Sequence, residues 1–343
     1  MKTPDYLWKA WHPLALLLSP LSLLFLLVSM LRRAAYLLHL KKVYRAPVPV
    51  IIVGNISVGG TGKTPLVIWL CCYLTRIGYH PGVVLRGYGG TATHWPQQVM
   101  ADSDPDVVGD ESVVIASETD CPVCVDPDRA GAVRELLKNH PCDVVISDDG
   151  LQHYALARDM EIAVIDGERR FGNGMLLPAG PLREPVSRLR TVDFVIMNQH
   201  CSPGYHCIRL APGHLINLAT GEEQRVGEMS GHKVHAVSGI GNPGRFYQLL
   251  SDAGMQVEEN SYPDHHDFAA ADIEFNDDLA VIMTAKDAVK CRAYATDRHW
   301  YLKLRVQPSA DFIRQFTATL KLKSYSNHTQ ITLKDNMKWN GNG

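Results

Sequence analysis

The 343-residue chain lacks a charge excess: 34 basic side chains against 36 acidic ones leave a formal charge of −2. That balance gives no reason to expect a nucleic-acid partner. It also lacks the cysteine pattern of a secreted disulfide scaffold. Its eight thiols, at 71, 72, 121, 124, 142, 201, 207 and 291, are scattered and fit a reducing compartment. Cys121-Pro-Val-Cys124 has no second CxxC or close histidine pair to complete a zinc site, so it reads as a strand with two small apolar side chains. No cleavage site for a signal peptide stands out. With 46% apolar and 20% charged residues, the composition also excludes disordered, collagen-like and polytopic membrane classes. The length suits two modest domains with a sizeable core.

What is present begins with an asymmetry. Residues 1–47 hold seven basic side chains (Lys2, Lys9, Arg32, Arg33, Lys41, Lys42, Arg45) against Asp5, so this segment is +6 and the remainder −8. Within it, Leu14 to Leu31 is an uncharged run of eighteen residues. As a helix it would extend about 27 Å, close to the thickness of a bilayer core. Trp8 and Trp11 flank one end and Arg32 and Arg33 the other, which predicts a retained membrane-associated helix with the downstream chain in the cytosol. The expected location is the cytoplasmic face of the inner membrane. Pro20 predicts a kink in the helix.

Beyond the anchor, strands and helices alternate. Val48–Val53 is an uninterrupted apolar run suited to a strand buried on both faces. Lys63–Ile77 and Asp128–His140 read as helices; Val83–Leu85, Val144–Ser147, Ile162–Ile165 and Phe194–Met197 read as strands. The pattern loosens near 205–230. Val234–Val237, Phe246–Ala253, Ala280–Met283 and Lys286–Tyr294 then suggest a second α/β unit. The expected fold is α/β: a layered nucleotide-binding sheet with a smaller α/β domain and an N-terminal membrane-associated helix. The expected boundaries are 1–47 for the helical segment, 48–206 for the phosphate-loop core, 207–230 for a linker, 231–323 for the smaller domain and 324–343 for a polar tail.

Ser57-Val58-Gly59-Gly60-Thr61-Gly62-Lys63-Thr64 lies between the first strand and its helix. There, N–H groups freed by glycines cradle phosphates, Lys63 reaches the β/γ oxygens and Thr64 serves Mg²⁺. Ser57 stands where the usual pattern begins with glycine. Asp148-Asp149 ends an apolar strand, as expected of acids that serve a metal and its surroundings. Gly150-Leu151-Gln152-His153 carries polar groups from the same edge. Asp110-Glu111 opens a helix. His265, in the distant Tyr262-Pro-Asp-His-His266, is the imidazole that could orient an Asp110 carboxylate. The loop 166–184 and Arg86-Gly-Tyr88-Gly89 add arginines and an aromatic suited to phosphate or sugar.

NISVGGTGKTP (55–65), RGYGG (86–90), VGDE (108–111), DPDR (126–129), DDGLQH (148–153), GNGMLLPAGPLRE (172–184) and TAKDAVK (284–290) together resemble the tetraacyldisaccharide 4'-kinase family, in that family's order, from the anchor to about residue 305. The resemblance implies transfer of the ATP γ-phosphate to the 4'-hydroxyl of an acylated disaccharide 1-phosphate lipid. It further implies two α/β domains joined by a small strand linker, Asp110 as base with His265 as partner, and Thr64, Glu111 and Asp148 or Asp149 around Mg²⁺. Gln152 and His153 would lie near the acceptor, and Arg86, Tyr88, Arg129 and Arg183 would contact sugar, phosphate or ATP. His266 adjoins His265 and leaves the choice between them open. A membrane-positioned switch or partitioning ATPase is the alternative, although it gives the GNGMLLPAGPLRE loop no role.

Overall fold

A computed structural model describes Trp8 and residues 12–323. Trp11, the basic residues Lys2 and Lys9, Asp5 and the polar tail from Ser324 lie outside the described residues.

The apolar run forms helix α1, Pro13–Leu37. It has a mean hydropathy of 2.5 in its most apolar window, of which only 11% is buried, so its leucines face outward. The helix runs through Pro20 as one element. The Leu16 carbonyl, which a proline cannot serve, accepts the Ser19 hydroxyl at 2.7 Å. One face touches the body: Ser22 Oγ donates to Leu176 O at 2.8 Å and accepts Ala179 N–H at 3.1 Å.

Among the described residues, thirteen strands form one sheet in the order β11-β10-β12-β13-β8-β7-β6-β1-β5-β2-β4-β3, with β9 paired to β8. In the first block, β1 (Val50–Gly54), β2 (Pro81–Leu85), β4 (Val123–Val125), β5 (Val144–Asp148), β6 (Met160–Asp166) and β7 (Phe194–Asn198) run parallel, and β3 (Gln97–Val99) closes the edge antiparallel to β4. The second block, β10 (Lys233–Ser238), β11 (Gln256–Ser261), β12 (Ala280–Thr284) and β13 (His299–Pro308), is also parallel. The stretch without a clear pattern in sequence holds β8 (His206–Asn217) and β9 (Glu223–Arg225). β8 runs parallel to β7 and antiparallel to β13, joining the blocks.

The helices are α2 (Lys63–Arg76), α3 (Pro105–Val108), α4 (Asp110–Glu118), α5 (Arg129–Asn139), α6 (Pro243–Asp252), α7 (Ala285–Cys291) and α8, residues 310–323. Leu66, Leu70 and Leu74 of α2 are fully buried on one face of the first block, and α5 covers the other with Val133 and Leu136. Each such side chain contributes about 1.5–3 kcal/mol of burial. α8 returns to the first block, where Phe312 and Phe316 pack near Trp69 and Tyr73, and Tyr73 Oη bonds Thr317 Oγ1 at 2.7 Å. Cys201 and Cys207 bring their sulfurs to bonding distance across the β7–β8 loop. The scattered spacing of the thiols gave no sign of that pairing.

Candidate functional site

β8 and β13 reverse the direction of the second block relative to the first. A flat sheet would hold the two carboxyl edges apart; here they face one cavity of about 1290 Å³. Its wall includes the glycine loop, Arg86, Tyr88, Glu111, Asp148, Asp149, His265 and Lys286, and it extends to Phe25, Val28 and Arg32 of α1.

Ser57 to Thr64 lead from β1 into α2. Gly62 precedes the helix in the left-handed region, φ 86°, and Gly59 has φ 93°, conformations that glycine adopts without strain. Val58 N–H donates to Pro181 O at 2.9 Å, and Ser57 bridges Leu182, so the GNGMLLPAGPLRE loop braces the phosphate loop. Lys63 Nζ is 3.5 Å from Asp149 Oδ1. Arg183 Nη1 holds the other oxygen of Asp149 at 2.9 Å. Burial opposes ionisation of Asp149, but Lys63 and Arg183 outweigh it and hold the carboxyl well below the usual carboxylate range. Asp148 is the reverse case: burial, reinforced by the Glu111 charge, pushes it up to about 7 against the pull of Lys63. Its Oδ2 is buried without a hydrogen-bond partner. Two facing acids and an orphaned oxygen are an arrangement that a divalent cation would neutralise.

Asp110, from the start of α4, is 5% exposed. Its Oδ1 accepts the Glu111 N–H at 2.7 Å, and its Oδ2 faces His265 Nδ1 at 3.0 Å and Lys290 Nζ at 3.5 Å. Burial would raise this carboxyl; the His265 hydrogen bond, with Lys286 and Lys290, lowers it to about 2. His265 is raised in turn by that bond, against its own burial. Its backbone has φ 58° and its N–H donates to Gly239 O at 3.1 Å, fixing the loop. His266 turns away, with Nε2 3.0 Å from Asp272, so the geometry separates the two histidines. Tyr88 lies with its ring 5.5 Å from that of His265, and Arg86 lines the same wall.

Gln152 Nε2 donates to Asn55 O at 3.0 Å and Glu184 Oε2 at 2.9 Å, which leaves its Oε1 as the free acceptor. His153 lies 3.8 Å from Asp128, and burial together with the Arg129 charge lowers it to about 4. Arg129 is itself buried, with Nη2 donating to the backbone carbonyls of Asp148 (3.2 Å) and Asp149 (2.9 Å). Its guanidinium thus holds the end of β5 as well as lining the cavity.

Sequence reasoning missed Lys286 and Lys290. Lys286 Nζ pairs with Glu111, and the acids around it raise its pKa despite burial. The signal was the four-residue spacing within TAKDAVK, which puts both ammonium groups on one face of α7.

The family model for LpxK, tetraacyldisaccharide-1-P 4'-kinase, matches residues 14–321. A tetraacyldisaccharide 4'-kinase of Methylobacillus flagellatus is 50% identical over 303 residues, covering 88% of this chain and 90% of its own. That of Nitrosococcus oceani is 46% identical over 314 residues, covering 92% and 93%. Among solved structures, LpxK from Aquifex aeolicus in complex with ATP superposes with a TM-score of 0.78 at 28% identity, over 91% of this chain and 100% of that one. The chain belongs to the tetraacyldisaccharide 4'-kinase family.

Proposed function

We infer that this chain transfers the γ-phosphoryl group of ATP to the 4'-hydroxyl of a tetraacyldisaccharide 1-phosphate, giving the 1,4'-bisphosphate and ADP in lipid A biosynthesis. The observation that carries the reading is one cavity lined by the phosphate loop and Glu111 of the first block and by His265 of the second, whose imidazole lies 3.0 Å from the Asp110 carboxylate behind that wall. The O4' oxygen forms the new bond to the γ-phosphorus as the bond to the β,γ-bridging oxygen breaks, and the hydroxyl proton passes to Asp110. Oδ1 of Asp110 accepts one hydrogen bond from Glu111 N–H and so keeps a lone pair for that hydroxyl. His265 and Lys290 hold the carboxylate ionised and aimed. A base of low pKa suits a loose transition state, where positioning and charge neutralisation dominate.

Thr64, Glu111, Asp148 and Asp149 fit a Mg²⁺ ion, as the orphaned Asp148 oxygen and the raised Asp148 pKa support. Such an ion would neutralise phosphate charge. Lys63 serves the β/γ oxygens from the start of α2. Gln152 offers its carbonyl oxygen, and His153 a neutral imidazole, to the sugar; Arg86, Tyr88, Arg129 and Arg183 line the space around sugar and phosphates.

The 25 residues of α1 extend roughly 37 Å, enough for a hydrocarbon core of about 30 Å. Its outward leucines, with Arg32 and Arg33 near its end and Lys41, Lys42 and Arg45 beyond it, support a catalytic body at the cytoplasmic face of the inner membrane. The acyl chains then lie beside α1 while the sugar reaches the cavity. Incubation with γ-labelled ATP and the lipid disaccharide tests the reading: labelled lipid supports it, whereas label recovered only as free phosphate favours the switch ATPase.

A further inference from the structure

Three consecutive carbonyls of the phosphate loop are each held from outside by a side chain at a different strand end. Asn55, just past β1, donates Nδ2 to Gly59 O at 3.4 Å and to Thr61 Oγ1 at 3.3 Å. Arg169, in the turn after β6, donates Nη2 to Gly60 O at 2.5 Å. Asn198, the last residue of β7, donates Nδ2 to Thr61 O at 3.0 Å. In a trans peptide the C=O and the following N–H point in opposite directions. Carbonyls drawn toward the scaffold therefore turn the N–H groups of Gly60, Thr61 and Gly62 toward the cavity that these residues line.

Two of the donors are themselves fixed. Asp166, 3% exposed, accepts the N–H groups of Glu168 and Arg169 on Oδ1 and binds Arg169 Nε at 3.2 Å on Oδ2. Asn198, 1% exposed, has its Oδ1 engaged by Arg245 Nη2 at 3.1 Å, which commits its amide nitrogen to Thr61. Arg245 belongs to α6, in the second block. The glycines leave room for the approach: a Cβ on Gly62 would come within 2.3 Å of Asn198 Nδ2, and one on Gly59 within 3.0 Å of Arg169 Nη1.

We propose that Asn55, Arg169 and Asn198 form a collar of positioning residues that presets the N–H groups of Gly60, Thr61 and Gly62 for a nucleotide polyphosphate. The proposal rests on the ATP reading above. A loop already turned inward avoids the ordering cost on binding, and a donor on each C=O polarises the attached N–H. Arg245, acting through Asn198, gives the second block a hold on the phosphate loop independent of Asp110.

The test is ATP and ADP binding by titration calorimetry on the full chain in detergent, for Arg169→Met, Arg169→Lys, Asn198→Asp and Arg170→Met. Asn198→Asp keeps the shape and the Arg245 contact but cannot donate. Arg169 is partly exposed, with 29% of its side chain accessible, so its variants do not depend on core packing. Arg169→Met and Asn198→Asp should each weaken ATP and ADP binding about tenfold, the loss of one hydrogen bond to an ordered group. The KM for the lipid acceptor should stay unchanged, and Arg169→Lys should recover most of the affinity. Arg170→Met removes the same charge from a side chain bonded instead to Ser202, and should bind as wild type. Wild-type affinity in both Arg169→Met and Asn198→Asp overturns the collar, as does an equal loss in Arg170→Met. A wild-type chain that binds no ATP overturns the kinase reading itself.

Discussion

Asp110 and His265 are 155 residues apart and act through one 3.0 Å contact, so their substitutions should not behave independently. His265→Ala takes from Asp110 a charge-assisted hydrogen bond, worth about 1.5–3 kcal/mol. At about 1.4 kcal/mol per decade of rate, kcat should fall about 10- to 150-fold. The carboxylate keeps Glu111 N–H at 2.7 Å and Lys290 at 3.5 Å, so it stays near its place and the loss goes no further. Asp110→Asn removes the proton acceptor itself and should cost about 10²–10⁴ in kcat. Because the imidazole works through the carboxylate, the double variant should be no slower than Asp110→Asn alone. The assay is the initial rate of label transfer from ATP to the lipid disaccharide with both substrates saturating. KM for ATP should hold near its wild-type value, since neither side chain touches the glycine loop. Losses that multiply in the double variant would refute the dyad and make His265 an independent contributor.

Lys63→Met should cost about 10²–10³ in kcat and weaken ATP binding, measured by turnover and calorimetry; near-normal turnover contradicts the phosphate-loop assignment. Chelation should abolish transfer and added Mg²⁺ restore it, whereas a full rate in chelator removes the metal role of Glu111, Asp148 and Asp149. His153 falls to about 4 in the native state because burial and Arg129 disfavour its charge, against about 6.5 unfolded. Its stability contribution, about 3 kcal/mol, is whole above pH 6.5 and is lost as pH drops toward 4, because the unfolded chain protonates first. In urea unfolding, His153→Gln should lose less stability than wild type between pH 7 and 4.5; parallel losses refute the assignment. Deleting residues 1–31 should release the protein from the membrane fraction and lower activity on lipid while sparing ATP binding; complete retention shows that the anchor lies elsewhere.

The central strands were legible because strands buried on both faces read as unbroken apolar runs, as in Val50–Val53 and Val144–Ile146. β11, QVEENS, lies at the sheet edge and mixes polar with exposed positions, so no run or alternation marks it. β8 is obscured by Pro212 and Gly213, beside a register shift against β13 between Leu302 and Leu304. In the site, the glycine loop and the acids announced themselves as local motifs. Asn198 did not, because the loop carbonyl it holds is distant in sequence and nothing in its neighbours encodes that partner; the partners of Lys290 and Arg169 likewise appear only in three dimensions. Arg129 shows the opposite limit: its motif marked it for the site, while its bonds to two backbone carbonyls appear only in three dimensions.

The antiparallel β8–β13 pair has a consequence for how substitutions in this protein should be read. It joins the two blocks, and the dyad exists only as an interface between them. A fragment ending before β8 would contain the glycine loop, Asp148 and Asp149, but its Asp110 would lack His265 and both lysines, the cations that hold that carboxyl ionised. Lesions in the seam around Pro212 and Gly213 should therefore mimic active-site lesions and silence transfer, even though they lie in the part of the sequence with the fewest recognisable motifs.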